Sequence, residues 1–489
     1  MVIPGLVDGH LHPVSGAELT QGLDLSGCAD LDAVREALAR EVRTLAPGAW
    51  LHAWGLDPNV FGDRPVETAA LAPVLDGVPA LLQLFDAHSM LASARALELA
   101  GVDGPRAFAQ AAEVVCDDAG RPTGLLLEDA ACELVERAAP RPTRAERRAR
   151  LAAALRTMAA AGLTGGHVMD ANGESLALYA ELDEAGELPL RLRVAPWCQP
   201  GVDADGLRAL IEQQGTGGGL WRVEGVKLFM DGTIDNGTAW LERPDCHGES
   251  THAFWPEPGA YTHVVGELHR AGVPTATHAI GDAAVRHVLD SVEKALTATG
   301  SSGKSTGSAR SGTGSSTSRP SPTPPCAASP SSASSRPCSP PTAATSPGPT
   351  TPTTGRAGSA RSAPPAPGAA ATCGTPGPPS SSAPTGPSPP PPLGVMAGAR
   401  HRRPSRDLTQ PPHGPGQALT ALEALQGMTL NPARAAGAEH EAGRLAVGCR
   451  ADLTVLADDP LTTAATDLPD LPVLLTVLDG RPTHRDPGL

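Results

Sequence analysis

The sequence predicts an α/β chain in which parallel strands and covering helices build a (β/α)8 TIM-like barrel, followed by a small set of C-terminal β-sandwich strands. Three observations carry this reading. Short apolar runs alternate with helical patterns over roughly the first 300 residues. Near the C-terminus the pattern changes to β-like pieces close together. Between the two lies a block, residues 301–392, without Leu, Ile, Val, Met, Phe, Trp, Tyr, Asp or Glu, which interrupts the barrel.

The chain opens with "VIPGLVDGHLHP", read as one short apolar strand that ends in His10 and His12. Further strands are expected at Val78–Phe85, Leu190–Trp197 and Val223–Met230, each a compact apolar run of the kind a sheet buries on both faces. Helices are expected over Leu31–Leu45, over Arg144–Gly162 with the glycine as terminator, and over Ala283–Leu296. A further helix is expected at Ala418–Gly437, and strands in "GRLAVGCRADLTVLADDP" and "LPVLLTVLDGRPTHR". The domain reading is therefore 1–300 for the first part of the barrel, 301–392 for a low-complexity disordered segment, 393–437 for the last barrel segment and 438–489 for sandwich strands.

Composition narrows the function classes. A chain of 489 residues, 40% of them hydrophobic, can bury a sizeable core outside the interruption. Net charge is −15, and the 38 basic residues include only Lys227, Lys294 and Lys304 as lysines, so no basic patch points to nucleic acid or a membrane surface. The nine cysteines lack a C-x-x-C pair, which argues for reduced thiols and against a cysteine metal site. Neither an export signal nor a membrane span is read, and the cytoplasm is the expected location.

In the H-x-H pair, side chains two apart on a strand share a face, so His10 and His12 can reach one cation from the strand's C-terminal end. Packed or surface histidines are the ordinary alternative for such a pair taken alone. The motif "PGLVDGHLHP" resembles the first barrel strand of the amidohydrolase superfamily. The stretches "WGLDPNVFGDRPVETAAL", "FDAHSMLASARALELAGV", "GRPTGLLLEDA", "GLTGGHVMD", "VKLFMDGTIDNGTAW" and "THAIGDAAV" resemble, in order, the branch that includes N-substituted formamide deformylases.

That resemblance implies a metal-dependent hydrolase of non-peptide C–N bonds, with one or two divalent ions, Zn2+ by expectation. Its ligands would be His10, His12, Lys227 (often carboxylated in the family) and His278. A snorkelling lysine and a capped core histidine are the plainer alternatives for the last two. His88 and His167, expected at strand ends on the presumed catalytic face of the barrel, and Asp282 are candidates for substrate contact or for support of the ligands, whereas Trp54, Asp57 and Glu128 are adequately explained by packing or capping. The partner is a small amide-type molecule, and a homo-oligomer is left open.

Two family motifs are absent from the chain as written: an "HRIEH" strand, and a "GSD" strand whose aspartate is the general base, so the catalytic residue is left unassigned. Gly312–Pro320 and Ser382–Pro387 stand in their places. With suitable synonymous codons, reading both stretches two bases later yields His-Arg-Ile-Glu-His and Gly-Ser-Asp, so the block reads as a frameshift product. The family's N-terminal sandwich segment is also missing, and an incomplete sandwich with a free edge is expected. Alternatives are an inactive metal-binding fragment, or a scaffold whose proline-rich block, with 23 of the chain's 51 prolines, recruits partners.

Overall fold

The computed structural model describes residues 1–109, 112–234, 237–300, 391–404 and 411–489. Gly312–Pro320, Ser382–Pro387 and the predicted disordered block up to residue 390 lie outside them.

Four strands form a parallel sheet in the order Trp221–Val223, Arg191–Pro196, Leu163–Ala171, Leu6–Leu11. Val226–Phe229 and Thr275–His278 form a second parallel pair, joined to the first group by a parallel bridge between Trp197 and Lys227. Helices Arg144–Ala160, Ser175–Glu184, Ala204–Glu212, Pro258–Arg270 and Asp282–Gly300 alternate with these strands, as a βα architecture requires. The described strands make an open parallel layer rather than a closed ring.

Local chemistry accounts for the helix starts. Asp30 accepts the Ala33 amide at 2.8 Å ahead of Leu31–Val42, and Thr143 and Glu146 form a reciprocal capping box ahead of Arg144–Ala160. Two expected elements divide. The Val223–Met230 run becomes two strands because Gly225 takes φ +120°, a conformation that breaks the extended line. Ala418–Gly437 becomes helices Ala421–Gly427 and Leu430–Ala435, with Thr429 at φ −135° and ψ −82° between them.

Residues 1–300 are not an uninterrupted series of barrel units. Between the first and second parallel strands the chain builds a separate six-stranded sheet, ordered Leu23–Asp24, Leu51–Leu56, Ala80–Leu84, Ser89–Ala92, Pro122–Leu127, Glu113–Cys116. Its first three strands are parallel and the rest antiparallel. It has apolar clusters of its own around Leu38, Leu56, Leu82 and Leu126, distinct from the cluster around Leu6, Leu155, Leu192 and Met396 that fills one side of the parallel layer. The Val78–Phe85 run belongs to this inserted sheet, and Pro392–His401 is a helix whose Leu393 and Met396 enter the parallel-layer core.

The opening segment also divides. Val2–Pro4 leaves the barrel strand and pairs antiparallel with Leu453–Leu456, giving a sheet ordered Val2–Pro4, Leu453–Leu456, Val473–Leu478, Arg481–Arg485. The edge expected to be free on the C-terminal strands is thus covered by the chain's own first residues. Cys28, Cys116, Cys132, Cys198 and Cys449 are free thiols. Among the described residues no helix is long and apolar enough to cross a membrane.

Candidate metal centre

Strand Leu6–Leu11 carries His10, and His12 follows it at the head of helix Pro13–Leu19. Asp8 Oδ1 accepts the His10 backbone amide at 2.9 Å and pins the chain there. The two imidazoles meet with Nε2 atoms 3.1 Å apart. From the second strand group Lys227 extends its Nζ to 3.3 Å from His10 Nε2 and 5.1 Å from the centre of the Phe229 ring. Its side chain is 1% exposed.

Burial sets the protonation of all three. It holds His10 well below the ordinary imidazole value, with Lys227 and His12 adding to the effect. It lowers His12 to about 3, again with Lys227 contributing. It brings Lys227 down to about 7, opposed by the carboxyl of Asp170. Near neutral pH the two imidazoles therefore offer uncharged nitrogens with lone pairs, while Lys227 is divided between amine and ammonium.

His278 ends strand Thr275–His278 close enough to the cluster to act on His10 and His12; its Nε2 lies 2.9 Å from the Gly232 carbonyl and 3.9 Å from Asp231 Oδ1. Burial, His88 and Lys227 lower it to about 3, so the neutral ring donates to Gly232. Asp231 organises this corner by accepting the backbone amides of Trp240 at 2.9 Å, Ile280 at 2.9 Å and Gly281 at 2.7 Å. Gly281 is a true steric requirement, since a Cβ there would stand 2.0 Å from the Trp240 carbonyl oxygen.

The remaining candidates divide. His88 lies not at a barrel strand tip but in the turn between Ala80–Leu84 and Ser89–Ala92 of the inserted sheet, its ring centre 5.6 Å from that of His278. Its Nδ1 is 3.1 Å from Glu128 Oε2; burial pulls its pKa down, but the Glu128 carboxylate dominates and lifts it to about 9. His167 sits within strand Leu163–Ala171, near enough to His10 to depress it, and is itself lowered to about 3 by burial and by Arg193. Asp282 is spent on structure: its Oδ1 accepts the amides of Glu242 at 2.7 Å and Ala283 at 2.9 Å.

Several residues that matter here were not singled out by sequence as site members. Asp57 does cap, accepting the Asn59 amide at 2.8 Å, but Glu128 is buried against His88 and makes no side-chain cap bond to the helix it precedes. Asp170 is buried, accepts the Ser15 amide at 2.7 Å and has an Oδ1 without a partner; burial raises it to about 7. Asp170 lies near the end of strand Leu163–Ala171 and Asp231 just after Val226–Phe229, both in motifs already quoted, which is the available signal.

The donor set fits a divalent cation in part. Two ligand nitrogens on one tetrahedral Zn2+ stand about 3.3 Å apart, given bond lengths of about 2.0–2.1 Å, and the His10–His12 and His10–Lys227 separations of 3.1 and 3.3 Å match. The Nε2 of His278 is engaged by the Gly232 carbonyl, and among the described residues no group of three or more His, Cys, Asp or Glu stands in a metal-holding arrangement.

A parallel strand layer covered by helices is an α/β fold found among metal-dependent hydrolases. A crystal structure of one from Pyrococcus horikoshii OT3 aligns with a TM-score of 0.58 and 16% identity, over 95% of this chain and 87% of that one, which shows the fold. The chain belongs to the Amidohydrolase family, whose pattern it matches over residues 1–484. It is 26% identical to the N-substituted formamide deformylase of Arthrobacter pascens, over 98% of this chain and 87% of the relative. It is 28% identical over 301 residues to YtcJ of Bacillus subtilis, an amidohydrolase by name, an alignment that takes in 60% of this chain and little more than half, 56%, of the relative.

Proposed function

We propose that this protein hydrolyses a C–N bond of a non-peptide amide, a formamide or a cyclic amide, with water activated at the His10–His12–Lys227 cluster. The supporting observation is the convergence of three side-chain nitrogens from two strand groups at 3.1 and 3.3 Å, those of half-buried His10 and His12 and of buried Lys227. A divalent cation, Zn2+ in our reading and one or two in number, would supply the polarisation that makes water a nucleophile near neutral pH.

The chain's own groups do the rest. His10 and His12 hold lone pairs at fixed spacing, and their suppressed basicity keeps protons from competing for them. Lys227, brought down to about 7, is substantially an uncharged amine near neutrality, the form that adds carbon dioxide to become a carbamate with an anionic oxygen donor. His88, held by Glu128, supplies a polarised N–H on the side of His278. The proton that must reach the leaving nitrogen is assigned to no described residue.

Zn2+-loaded protein should release amine from simple N-formyl or N-acyl amides, and His10→Ala with His12→Ala should abolish both the activity and the bound metal measured by elemental analysis. Unchanged metal content in that double variant would overturn the reading. The orientation of His278 favours a second reading, a chain that binds metal without turnover; metal uptake without amine release is its outcome.

A further inference from the structure

Two of the five non-glycine residues with positive φ among the described residues, Ala87 at φ +60° and Glu128 at φ +65°, frame a single contact, that of His88 with Glu128. A left-handed backbone costs free energy for residues with a Cβ and persists where surrounding contacts enforce it. Here the enforcement is visible. Glu128 Oε2 meets His88 Nδ1 at 3.1 Å, and Oε1 accepts the Thr238 hydroxyl at 2.8 Å. Space for that carboxylate exists because residue 232 is glycine: a Cβ there would stand 2.2 Å from Glu128 Oε1 and 2.2 Å from Thr238 Oγ1. The same Gly232 presents its carbonyl to His278. The carboxylate is nearly sealed, with 4% of its side chain exposed, while the His88 side chain keeps 15%.

A carboxylate has no proton to give, so Nδ1 of His88 must carry the hydrogen, and the other ring edge remains for a different partner. We propose that Glu128 is a positioning residue: it locks His88 in the Nδ1-protonated form and presents the Nε2 edge, on the His278 side of the site, to the amide group of the substrate. This rests on the hydrolase reading for the nature of the substrate but not for the lock itself.

The test uses the full chain with 15N-labelled histidine, as wild type, Glu128→Leu and Thr238→Val, each checked for native circular dichroism. In the wild type His88 should show a protonated Nδ1 and respond at Nε2 to added N-methylformamide. Glu128→Leu, which removes the acceptor facing Nδ1, should abolish Nδ1 protonation near neutral pH and the response together, and lower kcat by about 10- to 100-fold at unchanged metal content, the usual effect of removing a group that orients a site residue. Thr238→Val, which frees one oxygen of the carboxylate, should move both readouts in the same direction by less. An unaltered Nδ1 signal or an unaltered N-methylformamide response in folded Glu128→Leu protein overturns the proposal. If the wild type shows no hydrolysis while the lock and the response behave as described, the hydrolase reading falls and the positioning role stands.

Discussion

The two strand groups treat their histidines differently. His10 lies on strand Leu6–Leu11 and His12 just beyond it, where the chain turns into helix Pro13–Leu19; the nearby Asp8 carboxylate holds the His10 amide, and pairing with Leu163–Ala171 holds the strand. On Thr275–His278 the histidine ring itself is bonded from outside, by a Gly232 carbonyl beside an Asp231 carboxylate that binds three backbone amides. Short sequence spacing thus brings the first two imidazoles together, whereas the third depends on how a loop distant in sequence is tied down.

The sharpest break in this contrast comes from the donors themselves. Replacing His10 or His12 by Ala should weaken Zn2+ binding by at least roughly 100-fold, the upper range for mere supporting groups, whereas His278→Ala should weaken it less if the ring keeps its bond to Gly232. Equal losses at all three positions, read by competition with a chelator, would erase the distinction. Next in size is Asp231→Ala, which strands three buried amide donors and should cost about 3 kcal/mol or more in denaturant unfolding while leaving the His10–His12 pair able to bind metal.

Gly232→Ala should be smaller, about 1–3 kcal/mol, because Glu128 and Thr238 must yield to the new methyl group. Smallest is a pH effect. Asp170 is raised in the fold to about 7 from an ordinary 3.8 by burial, so its contribution to stability is fully present below 3.8 and lost as pH rises through about 7. Asp170→Asn removes that titration, so the variant's melting temperature relative to wild type should be more favourable at pH 8 than at pH 5 in metal-free protein. A difference of opposite sign would mean that the carboxylate is charged in the native state.

Sequence made the parallel strands, most helices and the His10–His12–Lys227 convergence legible, because each depends on short-range periodicity or on a rare residue in an apolar run. It missed the inserted sheet. Val78–Phe85 reads the same whether its neighbours are parallel barrel strands or, as here, Leu51–Leu56 on one side and the antiparallel Ser89–Ala92 on the other; an apolar run does not encode its partners. The same blindness placed His88 on a barrel tip, and it let Glu128 pass as a cap although its carboxylate points to a histidine 40 residues earlier. For Asp282, a helix-starting aspartate in a quoted motif, the sequence did not show that its Oδ1 accepts the backbone amides of Glu242 and Ala283.

The pairing of Val2–Pro4 with Leu453–Leu456 has a mechanical corollary. Only Gly5 separates this outer strand from Leu6, and the Met1 ammonium grips the Leu456 carbonyl at 2.8 Å. Displacing this outer strand from Leu453–Leu456 would pull on one short run of backbone that leads directly to His10, so the small antiparallel sheet and the His10–His12–Lys227 cluster are mechanically linked.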